Sequence, residues 1–284
     1  MKKPTVEQML EAGLHFGHQT FRWHPKMQSF IFDSRDGIHI IDLGKTEEKL
    51  NEVLNFVHQL GQGGGTLMLV GTKRQASPII GEIARAAQLP YVANRWPGGL
   101  LTNFQTMKGR IRYLKQLREK MAKKDFGDLT KQEIGRLEKK LVLLEEAFGG
   151  LDALDDLPDA LFIVDVIREK IALKEALKLG IPIIAMVDTN ADPTGIEFVI
   201  PANDDAKQGI QLITQAIADA YVSDRQTKAQ VSAKKEQEEE EMGISEPELE
   251  KVLAQKEVAE VMDKQEKEKK ELPGKGKKSN IKQS

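Results

Sequence analysis

Short apolar runs alternate along the chain with longer amphipathic stretches of helical periodicity. Four of the runs predict buried strands, namely Thr66–Val70, Ala160–Val164, Pro182–Val187 and Phe198–Ile200. Helical patterns precede the first run over residues 46–60 and follow the first, second and fourth runs. Strands separated by helices of this length imply right-handed crossovers and a mostly parallel sheet that is covered on both faces. The predicted fold class is therefore α/β.

Local signals predict where three of these helices begin or end. Ser77 is predicted to be an N-cap that places Pro78 at the first helical position, and Asn203 is predicted to cap the last helix, which runs to about residue 221. Gly180 is predicted to close a helix whose apolar residues are Ile171, Ala172, Leu173, Ala176 and Leu177. These boundaries complete the strand and helix order of the α/β domain.

The segment 102–148 interrupts the alternation with two helical patterns in tandem. Apolar residues of the second pattern recur at three–four spacing: Ile134, Leu137, Leu141, Leu144 and Phe148. The first pattern consists of Phe104, Met107, Ile111, Leu114 and Met121, and Arg118 interrupts it. Thr130 and Glu133 form a capping-box signature at the start of the second helix. We predict an antiparallel coiled-coil hairpin inserted into the α/β domain, with the basic residues of its first helix facing outward.

The composition changes at Asp224, after which aromatic residues vanish and charges occur in runs. Residues 224–284 contain 14 basic and 15 acidic residues, so this tail is nearly neutral. A capping box at Ser245 predicts a helix with a narrow apolar stripe, and a solvated or partly disordered tail is the alternative. The predicted units are an α/β domain of residues 1–101 and 149–223, a hairpin of residues 102–148, and the tail.

Composition excludes several classes of protein. The chain has no cysteine, which rules out disulfides and thiolate metal sites. Its N-terminus lacks a secretory apolar region, and its longest apolar runs are too short to span a bilayer. We therefore expect a cytoplasmic protein without a membrane contact.

The net charge of −2 gives no support for nucleic-acid binding, but the charge is unevenly distributed. Between Arg95 and Lys124, nine basic residues accompany one acid, Glu119, so this segment carries a charge of +8. The nine are Arg95, Lys108, Arg110, Arg112, Lys115, Arg118, Lys120, Lys123 and Lys124. A one-sided electrostatic footprint for a polyanion is therefore compatible with the overall charge.

Two clusters combine cations with planar side chains. The first spans residues 15–26 and contains His15, His18, Arg22, Trp23 and Lys26, together with Phe16, Phe21 and His24. The second is Asn94–Gly99, with Arg95 beside Trp96. Cations neutralise phosphates, and aromatic or guanidinium planes stack on unpaired bases. Each cluster alone could be core packing, but together with the basic helix they favour RNA binding.

Three other motifs are weaker candidates for ligand-binding sites. The glycines of 61–65 follow a helix and precede a strand, which is the reverse of a dinucleotide-binding turn. His15 and His18 lack further ligands at zinc-binding spacing, so packing or RNA contact is the better interpretation. Asp188 and Asp192 follow a strand and could hold Mg²⁺, although an Asx turn is favoured. We predict no metal, no cofactor and no catalytic residue.

A series of sequence motifs between about Thr5 and Tyr221 resembles the S-two family of bacterial small-subunit ribosomal proteins. They are Ala12–Gln19, Pro25–Met27, Val70–Arg74, Arg95–Gly99, Leu101–Asn103, Leu157–Ala160, Leu179–Pro182 and Val187–Asn190. The resemblance implies a flavodoxin-like sheet with a protruding coiled-coil hairpin. It also implies contact with small-subunit ribosomal RNA near the head–body junction, and help in retaining the large first protein of the subunit, which captures messenger RNA.

From the clusters and the resemblance together we predict a set of RNA-contacting residues. They are His15, His18, Arg22, Trp23, Lys26, Lys73, Arg74, Arg95, Trp96, Lys108, Arg110, Arg112, Lys115 and Arg118. The competing hypothesis is an enzyme that binds a nucleotide at the carboxyl edge of the sheet. It would use the Gly71–Arg74 loop for phosphate and Asp188 or Asp192 for a metal. We favour the binding module because no complete phosphate-binding signature and no nucleophile–base pair is present.

Overall fold

The structure is a computed structural model that describes residues 3–223 except residues 125 and 128. The predicted tail of residues 224–284 lies outside the described residues. The strands are β1 (Phe16–Gln19), β2 (Ile31–Arg35), β3 (Ile38–Ile41), β4 (Leu67–Val70), β5 (Tyr91–Val92), β6 (Ala160–Val164), β7 (Ile183–Val187) and β8 (Phe198–Pro201). The helices are α1 (Val6–Glu11), α2 (Leu43–Gln62), α3 (Ser77–Ala86), α4 (Phe104–Lys123), α5 (Lys131–Phe148), α6 (Lys170–Leu179) and α7 (Lys207–Val222).

Five parallel strands form the central sheet in the order β5-β4-β6-β7-β8 among the described residues. This order is that of the flavodoxin-like doubly wound sheet. Every residue of β4, β6 and β7 is buried, which explains why these strands have continuous apolar sequences. The predicted α/β class is confirmed.

Helices cover both faces of this sheet and divide the core into two clusters. Leu67 and Leu69 point to the cluster that contains the apolar residues of α2, α3 and α7. Met68 and Val70 point to the opposite cluster, with residues of α4 and α6. Alternate residues of one strand thus serve opposite layers, as the strand pleat requires.

A small antiparallel sheet, β1-β3-β2, precedes the parallel sheet and was not predicted. Its strands have four or five residues, and among them only Ile41 is buried. Without a buried face, the apolar alternation that identifies a half-buried strand is missing.

The helices α4 and α5 occupy the predicted hairpin segment and pack against each other. The buried residues of α4 are Phe104, Met107, Ile111, Leu114 and Leu117. Leu117, which lies beside Arg118, therefore continues the buried face at the point where Arg118 interrupts the pattern. Thr130 and Glu133 form the expected capping box of α5, whereas coiled-coil packing of the pair stays a prediction.

Two boundary predictions were wrong, and one was confirmed. Helix α3 already includes Ser77, and α7 begins only at Lys207. The Asn203 side chain instead donates to the Gly13 carbonyl and accepts from the Asp205 amide, so a contact with the N-terminal segment replaces the cap. Gly180 closes α6 in the left-handed conformation, as expected.

The packed face predicted for α6 was also wrong in part. Ile171 and Leu177 are 57% and 44% exposed, while Ala172 and Ala176 are buried. The glycines of 61–65 do form the predicted turn after a helix, with Gly63 as the C-cap of α2. Gly61 lies so close to α7 that an added Cβ would be 2.5 Å from the Tyr221 carbonyl oxygen.

Candidate nucleic-acid interface

His18 joins the small antiparallel sheet to the carboxyl edge of the parallel sheet. Its Nδ1 lies 3.0 Å from Oδ2 of the buried Asp188, which follows β7. Its backbone N–H donates to Thr189 Oγ1 at 2.9 Å. The hydrogen bond to Asp188 raises the pKa of His18 above its usual value of 6.5. The ring thus has a structural partner, and its contact with RNA stays a prediction.

Lys73 is enclosed by carboxylates at the same edge of the sheet. Its Nζ lies 2.6 Å from Asp204, 2.6 Å from Asp205 and 3.3 Å from Asp165, and its side chain is 15% exposed. Although burial opposes the charge, hydrogen bonds to Asp204 and Asp205 raise the pKa of Lys73. Acids of the same chain thus neutralise the ammonium group of Lys73, and its contact with RNA stays a prediction that this geometry does not favour.

Burial also raises the pKa of Asp204, to about 7. The negative charges of Asp165 and Asp188 act in the same direction, and the neighbouring Lys73 acts against it. The carboxyl edge is thus a network of mutually dependent charges and offers little free positive potential.

The loop between β4 and α3 does not provide the phosphate site of the enzyme hypothesis. The Thr72 amide donates to the buried Glu169 at 2.8 Å, and the Thr72 hydroxyl donates to the same oxygen. A phosphate on this loop would need that amide and would meet the carboxylate in its place. Arg74 is exposed beside it.

The cations of α4 fall into two groups. Arg110 and Arg112 are exposed and form no ion pair within the part of the chain that the structure describes. Arg118 is paired with Glu145 and Asp152, and the hydrogen bond to Glu145 raises its pKa. The outward orientation predicted for Arg118 is therefore wrong.

Lys108 and Lys115 are intermediate cases on the same helix. Lys108 lies 3.3 Å from the exposed Asp156, and Lys115 donates to the Asp152 carbonyl at 2.9 Å. Because pairs as exposed as Lys108–Asp156 contribute little free energy, Lys108 can exchange its partner for a phosphate.

Trp96 does not offer its ring to a nucleotide. It is 6% exposed, and its Nε1 donates to Glu175 at 3.1 Å. The stacking role predicted for Trp96 is corrected, because the indole belongs to the core beneath α4. The neighbouring Arg95 is exposed.

Exposed aromatic rings are concentrated in and around the small antiparallel sheet. Phe21 is 77% exposed, Phe32 73%, Phe16 48% and Trp23 38%. Phe32 was missed because it lies outside the cluster at 15–26, and only its exposure in the folded chain reveals it. Arg22 is exposed between Phe21 and Trp23.

Of the remaining predicted residues of this block, Lys26 has polar partners in the chain, whereas the buried Nδ1 of His15 has no hydrogen-bond partner among the described residues. Lys26 contacts Asp192 at 3.2 Å and also binds Thr194. The ring of His15 is partly buried, and burial lowers the pKa of His15. Asp192 accepts from the Thr194 amide and hydroxyl in an Asx turn, which was the favoured interpretation of this loop.

A search of the described residues finds no group of three or more His, Asp or Glu side chains that could hold a metal ion. In the same part of the chain, no helix is long and apolar enough to cross a membrane. Fold and site together define an α/β protein that offers surfaces for binding.

Comparison with known proteins identifies the family to which the chain belongs. A family model described as Ribosomal protein S2 matches residues 9–224. The small ribosomal subunit protein uS2 of Chloroflexus aggregans is 50% identical over 218 residues, which cover 77% of this chain and 92% of that protein. Its namesake from Dehalococcoides mccartyi is 44% identical over 222 residues, 78% of this chain and 91% of that protein. The chain therefore belongs to the ribosomal protein S2 family, a structural and non-enzymatic component of the ribosome.

Proposed function

We propose that this protein is a structural constituent of the small ribosomal subunit that binds small-subunit ribosomal RNA near the head–body junction. The observation that carries the RNA-binding part is the outer face of α4, where Arg110 and Arg112 are exposed without a carboxylate partner among the described residues. A guanidinium group without an internal partner gains most by neutralising a phosphate. Arg110 and Arg112 lie on either side of the buried Ile111, about 200° apart around the helix, so each can reach a different phosphate.

The second RNA contact in this proposal is the small antiparallel sheet. Phe16, Phe21, Phe32 and Trp23 present rings to solvent, and Arg22 lies among them. Unpaired bases of folded RNA stack on such rings, while arginine binds the adjoining phosphates. Arg74 and Arg95 are further exposed cations on the α/β domain.

The proposal keeps two functions that the family resemblance implies. The protein supports docking of the large first protein of the subunit, which captures messenger RNA, and it works in the cytoplasmic ribosome. Lys73, Trp96 and Arg118 are left out of the RNA-contacting set, because the chain itself occupies their polar groups.

A charge reversal on α4 tests the proposal. The variant R110E/R112E should lose its place on small subunits in a sucrose gradient, because two attractive contacts with phosphate become repulsive. The matched control is K174E/K178E, which makes the same charge change at two exposed lysines of α6. The control should travel with small subunits. Normal sedimentation of R110E/R112E, with its helical content unchanged, would refute the role of α4.

A further inference from the structure

Glu175 is a buried carboxylate whose hydrogen bonds all come from the segment that leads into α4. The residue lies on α6 and is 8% exposed. Its Oε1 accepts from Trp96 Nε1 at 3.1 Å and from the Gly99 amide at 2.8 Å. Its Oε2 accepts from the Leu101 amide at 3.0 Å and from the amide and hydroxyl of Thr102, both at 3.1 Å.

An ionised carboxylate, in addition to apolar packing, holds this segment in place. Burial acts against the charge of Glu175, yet the hydrogen bonds from Thr102, Trp96 and the other donors lower its pKa. Hydrogen bonds to a charged acceptor are stronger than those between neutral groups. The carboxylate therefore stays ionised and holds residues 96–102 as one rigid unit.

The rigid unit sets the direction of the helical hairpin. Helix α4 begins at Phe104, two residues beyond the last contact with Glu175, and Asn103 donates its amide to the Gly99 carbonyl. Arg112 lies about 12 Å along the helix from Phe104, so a tilt of about 10° at the base moves it by roughly 2 Å. A displacement of that size separates a guanidinium group from a phosphate.

We infer that Glu175 is the positioning residue of the RNA-binding arm: it clamps the segment 96–102 and thereby fixes where Arg110 and Arg112 lie relative to the α/β domain. The inference rests on the proposed function for its link to RNA. Its geometric part concerns the free protein and can be tested alone.

The decisive variant is Glu175→Gln, which keeps the shape of the side chain but turns one acceptor oxygen into a donor. Whichever way the amide is oriented, at least two of the five donors face an NH₂ group. The matched control is Glu169→Gln, which changes the buried carboxylate that precedes α6 and binds Thr72 in a different loop. Thr102→Val removes a single hydrogen bond and serves as a milder variant should E175Q fold poorly.

The first measurement is a distance distribution between spin labels on the arm and on the domain. Because the chain has no cysteine, labels can be placed at K120C on α4 and K207C at the start of α7 in the full-length protein. Wild type and E169Q should give the same narrow distribution, E175Q a clearly broadened or displaced one, and T102V an intermediate one. Unchanged distributions in both E175Q and T102V would overturn the inference, whether or not the protein binds RNA.

The second measurement is a double-mutant cycle on affinity for small-subunit ribosomal RNA. E175Q should weaken binding by about tenfold, because a mobile arm must be ordered when RNA binds. In the R110Q/R112Q background the same change should have almost no effect, since no contact remains for Glu175 to position. An effect of E175Q that persists in that background would contradict the inference, while failure of the wild type to bind RNA would instead refute the proposed function.

Discussion

Helix α4 and the carboxyl edge of the parallel sheet both carry cations that were predicted to contact RNA. They differ in whether acids of the same chain lie beside those cations. Arg110 and Arg112 are exposed and have no ion pair among the described residues. Lys73 is held by three carboxylates. The comparison teaches that a cluster of basic residues indicates a nucleic-acid surface only if the fold leaves those residues unpaired.

Replacing the enclosed cation should have the largest effect on stability. Lys73→Met leaves Asp165, Asp204 and Asp205 without their shared partner, which should lower the free energy of unfolding by about 3 to 5 kcal/mol. Arg112→Ala should change it by no more than about 0.5 kcal/mol, because the side chain is exposed. Urea denaturation of both variants measures the difference. Equal stabilities would show that the two regions do not differ as described.

The carboxyl edge should also show a pH dependence that α4 lacks. The pKa of Asp204 is raised by burial to about 7 in the folded protein from its usual value of 3.8, so folding favours its protonated form. The stability of wild type relative to D204N should therefore fall as the pH rises through this interval, and should be level above it. The loss should be on the order of 4 kcal/mol, measured by denaturation at a series of pH values. A pH-independent difference would contradict it.

Arg118 tests the comparison within one helix, because it lies on α4 but is paired. Arg118→Ala removes the contacts with Glu145 and Asp152 and should destabilise the protein by about 1 kcal/mol. Its affinity for RNA should fall less than that of Arg112→Ala. Thermal denaturation and RNA titration of the two variants give both quantities, and a greater loss of affinity for R118A would reverse the assignment.

The smallest of these effects should be the pH dependence of stability that His18 causes. Its sign follows from the raised pKa of His18. The stability that it gains from Asp188 is fully present below pH 6.5 and is lost as the pH rises through the folded pKa. NMR titration should place the pKa of His18 above 6.5 in wild type and lower in D188N. A pKa that does not change in D188N would show that Asp188 is not the cause.

The sequence predicted those parts of the fold whose residues are buried on both sides. Continuous apolar runs identified β4, β6 and β7, because every position of these strands is buried. Three–four spacing identified α4 and α5, because one face of each helix is apolar. The strands β1 to β3 were missed, since their exposed faces place few constraints on composition.

The site was less predictable because its contacts join distant parts of the chain. Trp96 was predicted to stack on RNA, but its indole N–H donates to Glu175, which is 79 residues away in the sequence. Lys73 has its partner Asp204 at a separation of 131 residues. Such pairings depend on tertiary structure, which local spacing does not encode. The exposure of Arg110 and Arg112 was predicted correctly, because helical periodicity turns both residues away from the buried Ile111 between them.

The salt dependence of RNA binding tests most directly whether the unpaired arginines of α4 bind phosphate. Each phosphate contact adds roughly 0.7 to 0.9 to the slope of the logarithm of the binding constant against the logarithm of salt concentration. R110Q/R112Q should therefore bind small-subunit ribosomal RNA more weakly and with a slope reduced by about 1.5 to 2, whereas K174Q/K178Q should match wild type. A slope for R110Q/R112Q equal to that of wild type would contradict the assignment.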